Sequence, residues 1–387
     1  HRTLLILEGH IIDSMMLPQV MDLVMDLGGN FNIEELRVGQ HKDDISHCRM
    51  EVVAADPETL DRIVRRAKEL GAAAAEESPV KLVPIEQQGV YPEGFYSTTN
   101  LPTYVLVGGK WLPVQKQEMD CAIAVDEAEG SARCIPFYEA IPGLQVVVGH
   151  GGVRLVPLER SRQTEIFSFM ASEVSAEKPK KQLISKIADE MRQVHAEGGR
   201  ILVVSGPAVV HTGAGRYLSQ LIEMGYVQVL FAGNALAVHD VEAALFGTAL
   251  GVNLESGLPI EHGHEHHMRA INRVRAAGSL KAMVESGQLT RGVMKTAIDH
   301  GVDIVLAGSV RDDGPLPDVV TDMVEAQKRM REAVPGVRLA LMLSTMLHSI
   351  ATGNLLPAGV RTVCVDINPA VVTKLADRGS WQSIGLV

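Results

Sequence analysis

The feature that most constrains the fold is a series of five continuous aliphatic runs in the C-terminal half of the chain. They lie at residues 201–204, 227–231, 304–307, 339–343 and 362–365. Unbroken runs of this kind are typical of strands that are buried on both faces of a parallel sheet. Helix-length segments separate them, which indicates repeated strand–helix–strand units. We therefore predict a Rossmann-like α/β domain with a parallel sheet over residues 199–387.

The first half of the chain has a different pattern and predicts smaller modules. Residues 1–79 follow the order strand, helix, strand, strand, helix, which is typical of a ferredoxin-like α+β module. Residues 80–158 have few helix signals and several short apolar runs between turns, which predicts a small β-rich domain. Residues 159–198 are polar and predict a helical linker. A chain of 387 residues is long enough for several cores.

The charge and the cysteines narrow the classes of function. A formal net charge of −11 argues against nucleic acid or an anionic membrane as a partner. No apolar stretch is long enough to span a bilayer, and no signal peptide is recognisable. The four cysteines show no CxxC spacing, as expected of reduced thiols. We therefore expect a cytoplasmic protein whose partner is a small-molecule substrate.

The last aliphatic run ends in Asp366, and this carboxylate indicates a nucleotide. An acidic side chain at the carboxyl end of a parallel strand can accept hydrogen bonds from both hydroxyls of a ribose. The same charge would repel a 2′-phosphate, which favours NAD over NADP. Asn368 and Pro369 then open a helical pattern, and proline suits a first helical turn. The alternative is that Asp366 only caps this helix.

The loops after the other four strands carry glycine and small polar residues. The first loop contains Gly206, Gly213 and Gly215 before a helix, where the backbone can approach a phosphate closely. Their spacing is not GxGxxG, so a loop that only needs left-handed turns is the alternative. The remaining strand ends contribute Asn234, Ala235, Asp312, Thr345, Met346, Leu347 and His348. Because the carboxyl ends of parallel strands share one edge, these loops together predict a dinucleotide-binding crevice.

A histidine-rich segment, EHGHEHH at residues 261–267, is the first candidate for acid–base chemistry. We predict that Glu265, His264 and His266 are catalytic, because imidazole groups titrate near neutral pH. Zinc or iron bound by His264 and His267 is an alternative. HExxH is absent and no second cluster has metal-ligand spacing, so we predict no bound metal. Helix capping by exposed histidines is the third interpretation.

Asp120, in the β-rich segment, is a further catalytic candidate. Its carboxylate would hold a substrate ammonium, or it is an ordinary turn residue. Cys121 and Cys134 have no activating neighbour in sequence, and we interpret them as core thiols rather than nucleophiles.

Motifs spread over the whole chain resemble one known family. They are LLILEGHIIDSMMLPQVMDLV, FYSTTNLPTYV, GHGGVRLVP, EHHMRAIN, LAGSVRDDGPLPDVV, TGNLLP and VDINPAVVTKLADRGS. Together they are similar to the family named for a conserved region of lysine–oxoglutarate reductase/saccharopine dehydrogenase. Archaeal members of that family, and the C-terminal half of cyanobacterial arginine-dihydrolase fusions, act as ornithine cyclodeaminases.

The resemblance implies a Rossmann-like domain that is similar to that of deoxyhypusine synthase and binds NAD. It implies conversion of L-ornithine to L-proline and ammonia by transient oxidation at Cα, cyclisation and re-reduction. We also expect a homo-oligomer, and the fusion relatives leave room for an arginine-dihydrolase domain upstream of His1.

That reaction needs a base, a partner for the δ-ammonium and a cation for the α-carboxylate. The candidates by residue type and position are Glu265, His264 and His266 for the base, Asp312 or Asp120 for the ammonium, and Arg311 for the carboxylate. Two other functions remain open. One is an NAD-dependent dehydrogenase of the saccharopine type, and the other is a non-catalytic NAD-binding regulator with a ligand-sensing ferredoxin-like module.

Overall fold

The computed structural model describes residues 1–12, 14–39, 41, 44–74, 78–156, 180–254, 258, 263–312, 314–368, 370–371, 374–375 and 383–386. These residues form two compact units. The first unit holds residues 1–156 together with Leu356–Gly359, and the second holds the other described residues from Lys180 onward.

The first unit opens with a four-stranded antiparallel sheet and two helices. In chain order these elements are β1 Arg2–Gly9, α1 Met16–Asp26, β2 Asn30–Arg37, β3 Ser46–Val53, α2 Pro57–Glu69 and β4 Ala73–Ala74. The strand order β2-β3-β1-β4 confirms the ferredoxin-like module. Helix α2 begins where predicted because Asp56 caps it, its carboxylate accepting a 2.8 Å hydrogen bond from the Thr59 amide.

The β-rich part of this unit is one seven-stranded sheet. Its strands are β5 Lys81–Pro84, β6 Thr103–Val107, β7 Lys110–Gln115, β8 Ala122–Asp126, β9 Ser131–Ile135, β10 Gln145–Val148 and β11 Val153–Leu155. The order is β11-β6-β7-β9-β8-β10-β5. Strands β5, β7 and β11 are absent from the sequence-based prediction, because β5 and β7 contain proline and β11 has three residues. Cys48, Cys121, Cys134 and Cys364 are buried, and none of them forms a disulfide within the described part of the chain.

The second unit contains a six-stranded parallel sheet, as predicted. Its strands are β12 Arg200–Ser205, β13 Val229–Gly233, β16 Asp303–Ala307, β17 Val337–Leu343, β18 Arg361–Val365 and β19 Ser383–Leu386. The order β16-β13-β12-β17-β18-β19 is the 3-2-1-4-5-6 arrangement of a Rossmann fold. The chain reverses direction across the sheet between β12 and β17. Ligands of such folds bind outside the carboxyl ends of these two strands.

Nine described helices and a hairpin accompany this sheet. The helices are α3 Lys180–Ala196, α4 Ala208–His211, α5 Gly215–Glu223, α6 Asn234–Phe246, α7 His266–Ala277, α8 Leu280–Glu285, α9 Val293–Asp299, α10 Met323–Ala333 and α11 Leu347–Leu355. Strands β14 Thr248–Ala249 and β15 Val252–Asn253 form the hairpin. Helix α3 lies in the predicted linker and packs against β12 and β17. No helix among the described residues is long and apolar enough to cross a bilayer.

Helix α6 differs from the prediction and matters for the site. The sequence pattern predicts a helix at residues 238–250, but α6 begins at Asn234 and ends at Phe246, where Gly247 adopts a left-handed φ of 68°. All of its residues from Leu236 to Glu242 are buried, so it lacks the polar stripe that marks a helix in sequence. Four buried polar residues, Asn234, His239, Asp240 and Glu242, lie in this helix.

Candidate active site

The loops after β12 and β17 approach each other very closely, at the point where the chain reverses direction across the sheet. Gly206 follows β12, and its amide donates a 2.8 Å hydrogen bond to the Leu343 carbonyl at the end of β17. A Cβ at Gly206 would overlap the carbonyl oxygen of Ser344, which itself has a left-handed φ of 52°. Glycine is therefore required here by close backbone approach. The crevice begins at this contact.

His348, Gly233 and Asp312 meet at the same edge. A Cβ on Gly233 would lie 3.0 Å from Cε1 of His348, the second residue of α11. Burial lowers the pKa of His348, and the negative charge of Asp312 offsets part of that shift. Asp312 accepts a 2.8 Å hydrogen bond from the Ser309 amide, which fixes the loop after β16. The imidazole is therefore held neutral beside a carboxylate.

Two of the other predicted cofactor residues begin a helix at this edge. Asn234 is the first residue of α6, and its side-chain oxygen accepts a 3.0 Å hydrogen bond from the Leu316 amide. Ala235 follows it in the first turn. The side chain of Asn234 is thus already used within the fold. The helix N-terminus keeps its backbone N–H groups for an anion.

Gly213 and Gly215 do not line the crevice with the other predicted cofactor residues. Both line a cavity of about 720 Å³ between α5, α6 and α9, which none of the other predicted cofactor residues borders. Gly213 has a left-handed φ of 73°, as the alternative interpretation of that loop requires. Their assignment to the cofactor stays a prediction.

Asp366 stands at the carboxyl end of β18. Its Oδ1 accepts a 2.8 Å hydrogen bond from the Asn368 amide, and the Asn368 side chain accepts a 3.0 Å bond from the Ala370 amide. Both the ribose and the capping interpretations of Asp366 therefore remain compatible with its position. Pro369 lies outside the described residues.

Large apolar side chains are exposed around the same edge. Val310 is fully exposed after β16, Leu347 is 77% exposed after β17, and Ile367 is 91% exposed after β18. Single exposed apolar residues are common, but these three all follow strands at one edge of the same sheet. These residues, with Thr345 and Met346 beside them, offer apolar surface to a flat ring.

A buried polar cluster that the sequence did not predict adjoins α6. Glu242 has no solvent exposure. Its carboxylate accepts hydrogen bonds from Nδ1 of His239 at 2.8 Å and from the Thr248 hydroxyl at 2.9 Å. It also accepts bonds from the amides of Leu250 and Gly251 at 3.2 and 3.1 Å, in the turn of the β14–β15 hairpin. The spacing H-x-x-E puts His239 and Glu242 on one face of the helix, and this was the available sequence signal.

Further imidazoles surround His239. The ring of His211, at the end of α4, lies edge-on 4.7 Å from the His239 ring, and the His267 ring lies 6.4 Å away. Nδ1 of His211 is buried and has no hydrogen-bond partner among the described residues. Burial and then the neighbouring His239 lower the pKa of His211, against the opposing effect of Glu242. His211 is therefore neutral near pH 7.

The five predicted catalytic residues are not all in one place. His266 joins the new cluster, because its Nδ1 lies 2.9 Å from the Thr248 hydroxyl. Glu265 is half-exposed and accepts a 2.6 Å hydrogen bond from Arg269 one turn further along. The His264 side chain lies outside the described residues. Arg311 is exposed after β16, and Asp120 is exposed in the first unit, with a left-handed φ of 60° typical of a turn. Their catalytic roles stay predictions.

The part of the chain that the structure describes contains no group of three or more His, Cys, Asp or Glu residues arranged to hold a metal ion. Glu261 and His262 fall outside that part. Within residues 261–267, the structure describes the side chains of two histidines, His266 and His267. Both belong to the hydrogen-bonded and ring-packed cluster around Glu242.

Comparison with known proteins identifies the family of this chain. Residues 2–101 match the LOR/SDH bifunctional enzyme conserved region, residues 102–184 match the arginine dihydrolase ArgZ-like C-terminal first region, and residues 185–387 match the ArgZ-like C-terminal Rossmann fold. The chain belongs to the ArgZ-like C-terminal family. The resemblance inferred from the motifs is thereby confirmed, as is the Rossmann fold of the second unit.

Three relatives show how far this likeness extends. A Methanopyrus kandleri protein named ornithine cyclodeaminase is 53% identical over 98% of this chain and 92% of its own length. The crystal structure of apo ArgZ, an arginine dihydrolase from the ornithine–ammonia cycle in cyanobacteria, matches with a TM-score of 0.86 and 39% identity over 100% of this chain and 56% of that chain. The ternary complex of AgrE with ornithine and NAD+ matches with a TM-score of 0.53 and 41% identity, over 100% and 56%. This ArgZ-like C-terminal chain thus spans just over half the length of ArgZ and AgrE.

Proposed function

We propose that this chain is an NAD-dependent ornithine cyclodeaminase, a lyase that converts L-ornithine to L-proline and ammonia. The observation that carries the proposal is the 53% identity with the Methanopyrus kandleri ornithine cyclodeaminase over 98% of this chain. AgrE, another relative, forms a ternary complex with ornithine and NAD+. Identity at this level over the full length supports the same activity here.

The crevice has the features that NAD requires. Gly206 lets backbone approach a phosphate closely, and the N-termini of α6 and α11 offer N–H groups to it. Asp366 supplies a carboxylate for the ribose hydroxyls, and the exposed Leu347 and Ile367 supply apolar surface for a ring. Bound NAD would take a hydride from the substrate and return it within one turnover. The preference for NAD over NADP follows from the charge of Asp366.

The chain's own side chains must manage the charges and protons of ornithine. At the crevice, Asp312 and Arg311 are one carboxylate and one guanidinium on the same loop, suited to an ammonium and a carboxylate respectively. The Glu242 cluster supplies one buried imidazole, that of His239. Low water access keeps a reactive imine from hydrolysis before the ring closes.

A second candidate is a saccharopine-type dehydrogenase, favoured by the match of residues 2–101 to the LOR/SDH conserved region. The two enzymes differ in their electron balance. A cyclodeaminase returns every hydride that it removes, whereas a dehydrogenase leaves reduced cofactor behind.

The test is to incubate the purified protein with L-ornithine and a small amount of NAD. We expect proline and ammonia in equal amounts, many turnovers per NAD, and no lasting absorbance of NADH. Accumulation of NADH in step with consumption of ornithine or saccharopine would show a dehydrogenase. NAD binding without turnover of either amino acid would leave the non-catalytic regulator.

Two further properties belong to the proposal. All four cysteines are buried as thiols rather than disulfides, which supports a reducing and therefore cytoplasmic location. A homo-oligomeric state stays a prediction, and sedimentation of the purified protein measures it directly.

A further inference from the structure

Glu242 is an ionised group deep inside the second unit, and its surroundings explain why it stays charged. Burial alone would raise its pKa, but hydrogen bonds from His239, Gly251 and Thr248 outweigh burial and lower it. A carboxylate with four donors and no solvent exposure is fully satisfied. Every one of its neighbours must therefore donate to it.

This requirement fixes the protons on two imidazoles. An ionised carboxylate only accepts, so Nδ1 of His239, 2.8 Å away, carries a proton. The single hydroxyl proton of Thr248 also points to Glu242, which leaves only a lone pair for the Nδ1 of His266 at 2.9 Å. His266 must then be protonated at Nδ1 as well. In neutral rings the proton-free nitrogen is therefore Nε2, in both His239 and His266.

His239 is the better placed of the two to act as a base. Its Nδ1 bonds directly to the Glu242 carboxylate at 2.8 Å, whereas His266 reaches Glu242 only through the Thr248 hydroxyl. His266 instead stacks on Phe246, with ring centroids 4.7 Å apart. The titratable groups around His239 are Glu242 on its own helix, His211 on α4 and His267 on α7. Of these described groups, only the Glu242 carboxylate is both charged and hydrogen-bonded to His239.

We propose that His239 is the base that takes a proton from the α-ammonium of ornithine, and that Glu242 is the positioning residue that holds its ring. The inference rests on the proposed function. The N–H bond of the ammonium breaks as the Nε2–H bond forms, and Glu242 stabilises the imidazolium through Nδ1–H. The ring returns the same proton to the ammonia that leaves, so each turnover restores neutral His239. The base is thus in α6 rather than at Glu265.

A purely structural role is the competing explanation. Glu242 also accepts from the amides of Leu250 and Gly251, so it would stabilise the turn of the β14–β15 hairpin even without any catalytic role. The experiment must therefore separate loss of a base from loss of the hairpin.

The first measurement is the activity of His239→Asn and His239→Ala. Asparagine places an N–H near the former Nδ1 and so keeps the bond to Glu242, but it offers no base. We expect kcat to fall by roughly 10² to 10⁴-fold in both variants, with the Kd for NAD changed by no more than about twofold. Added imidazole should restore part of the activity of His239→Ala in proportion to its concentration.

Glu242→Gln tests the positioning role through the pH profile. Removing the negative charge makes the imidazolium less stable relative to the neutral ring. The rising acid limb of kcat/KM should then move to lower pH, while the maximum falls at least about tenfold. A role confined to the hairpin would lower activity without moving that limb. His195→Ala is the matched control, because His195 packs on Tyr226 away from this cluster.

Clear outcomes overturn the inference. Activity of His239→Asn within about threefold of the wild-type value would do so. Loss of activity in Glu265→Gln, with activity kept in both His239 variants, would do so as well. NMR correlation of the imidazole nitrogens gives a reading that does not need turnover, and a proton on Nε2 of neutral His239 would also overturn it. If the wild-type protein makes no proline while the NMR assignment holds, the proposed function fails and the proton arrangement stands.

Discussion

Asp240 and Glu242 are two positions apart in α6, and their surroundings move their pKa values in opposite directions. Burial raises the pKa of Asp240 from 3.8 to about 6, even though the amides of Val293 and Met294 both donate to it at 2.8 Å. At Glu242 the hydrogen bonds lower the pKa by more than burial raises it. Glu242 accepts from an imidazole and a hydroxyl as well as from amides, whereas the two partners of Asp240 are both backbone amides. A single helix thus holds one carboxyl that resists ionisation and one that favours it.

This contrast predicts how the cost of removing Asp240 depends on pH. A carboxyl whose pKa is raised in the folded state stabilises the fold fully below its unfolded pKa of 3.8, and that contribution is lost as pH rises through about 6. The destabilisation caused by Asp240→Ala should therefore shrink by about 2 kcal/mol between roughly pH 4.5 and pH 7.5. Urea unfolding of both proteins across that range measures it.

Asp189→Ala is the control for this experiment, because the Asp189 side chain is 68% exposed. Its effect on unfolding should hardly change over the same range. If the cost of Asp240→Ala instead grew with pH, the two amide bonds would dominate over burial, and Asp240 would be ionised throughout.

At the scale of elements, the ends of β12 and β17 define the crevice by touching one another. A side chain at Gly206 would meet backbone, which cannot rotate away as a flexible side chain can. We predict that Gly206→Ala moves the two loops apart and lowers stability by about 1–3 kcal/mol. Titration with NAD should also show affinity reduced by at least about tenfold.

Gly151→Ala serves as the matched control, since a Cβ at Gly151 meets nothing within 4 Å. It should leave both stability and NAD affinity close to the wild-type values. Normal NAD affinity in Gly206→Ala would show that the cofactor does not use this end of the sheet.

The sequence predicted the elements whose patterns are strong and local. The aliphatic runs of β12, β13, β16, β17 and β18 were recognised because strands buried on both faces contain few polar residues. Helix α11 was missed, since Gly353 and buried Ser349 and Thr352 give it no apolar stripe. Short or proline-containing strands, such as β11 and β7, also escaped.

The site was less predictable than the fold. The histidine-rich segment drew attention to His266, but its partners Thr248 and Glu242 lie 18 and 24 positions earlier and meet it only in the folded chain. His239 and Glu242 lie in a helix whose other residues are mostly apolar, where the sequence pattern predicts core packing. Only the hydrogen bonds of the folded chain reveal that Glu242 is ionised and that it orients the His239 ring.

At the scale of the whole molecule, the proposed reaction begins and ends with oxidised cofactor. The second unit supplies the crevice, the carboxylate of Asp366 and the Glu242 cluster within one Rossmann fold. The similarity to archaeal relatives extends over the first unit as well, since the Methanopyrus kandleri protein aligns with 98% of this chain. Turnover therefore has to be measured on the whole chain.

The most direct measurement is the fate of a deuterium label at Cα of ornithine during turnover by the whole protein with unlabelled NAD. If the hydride leaves Cα and returns before the cofactor is released, nearly all of the proline should carry deuterium at Cα. Mass spectrometry of the product decides the question. Proline without the label, or deuterium accumulating in free reduced cofactor, would contradict the account.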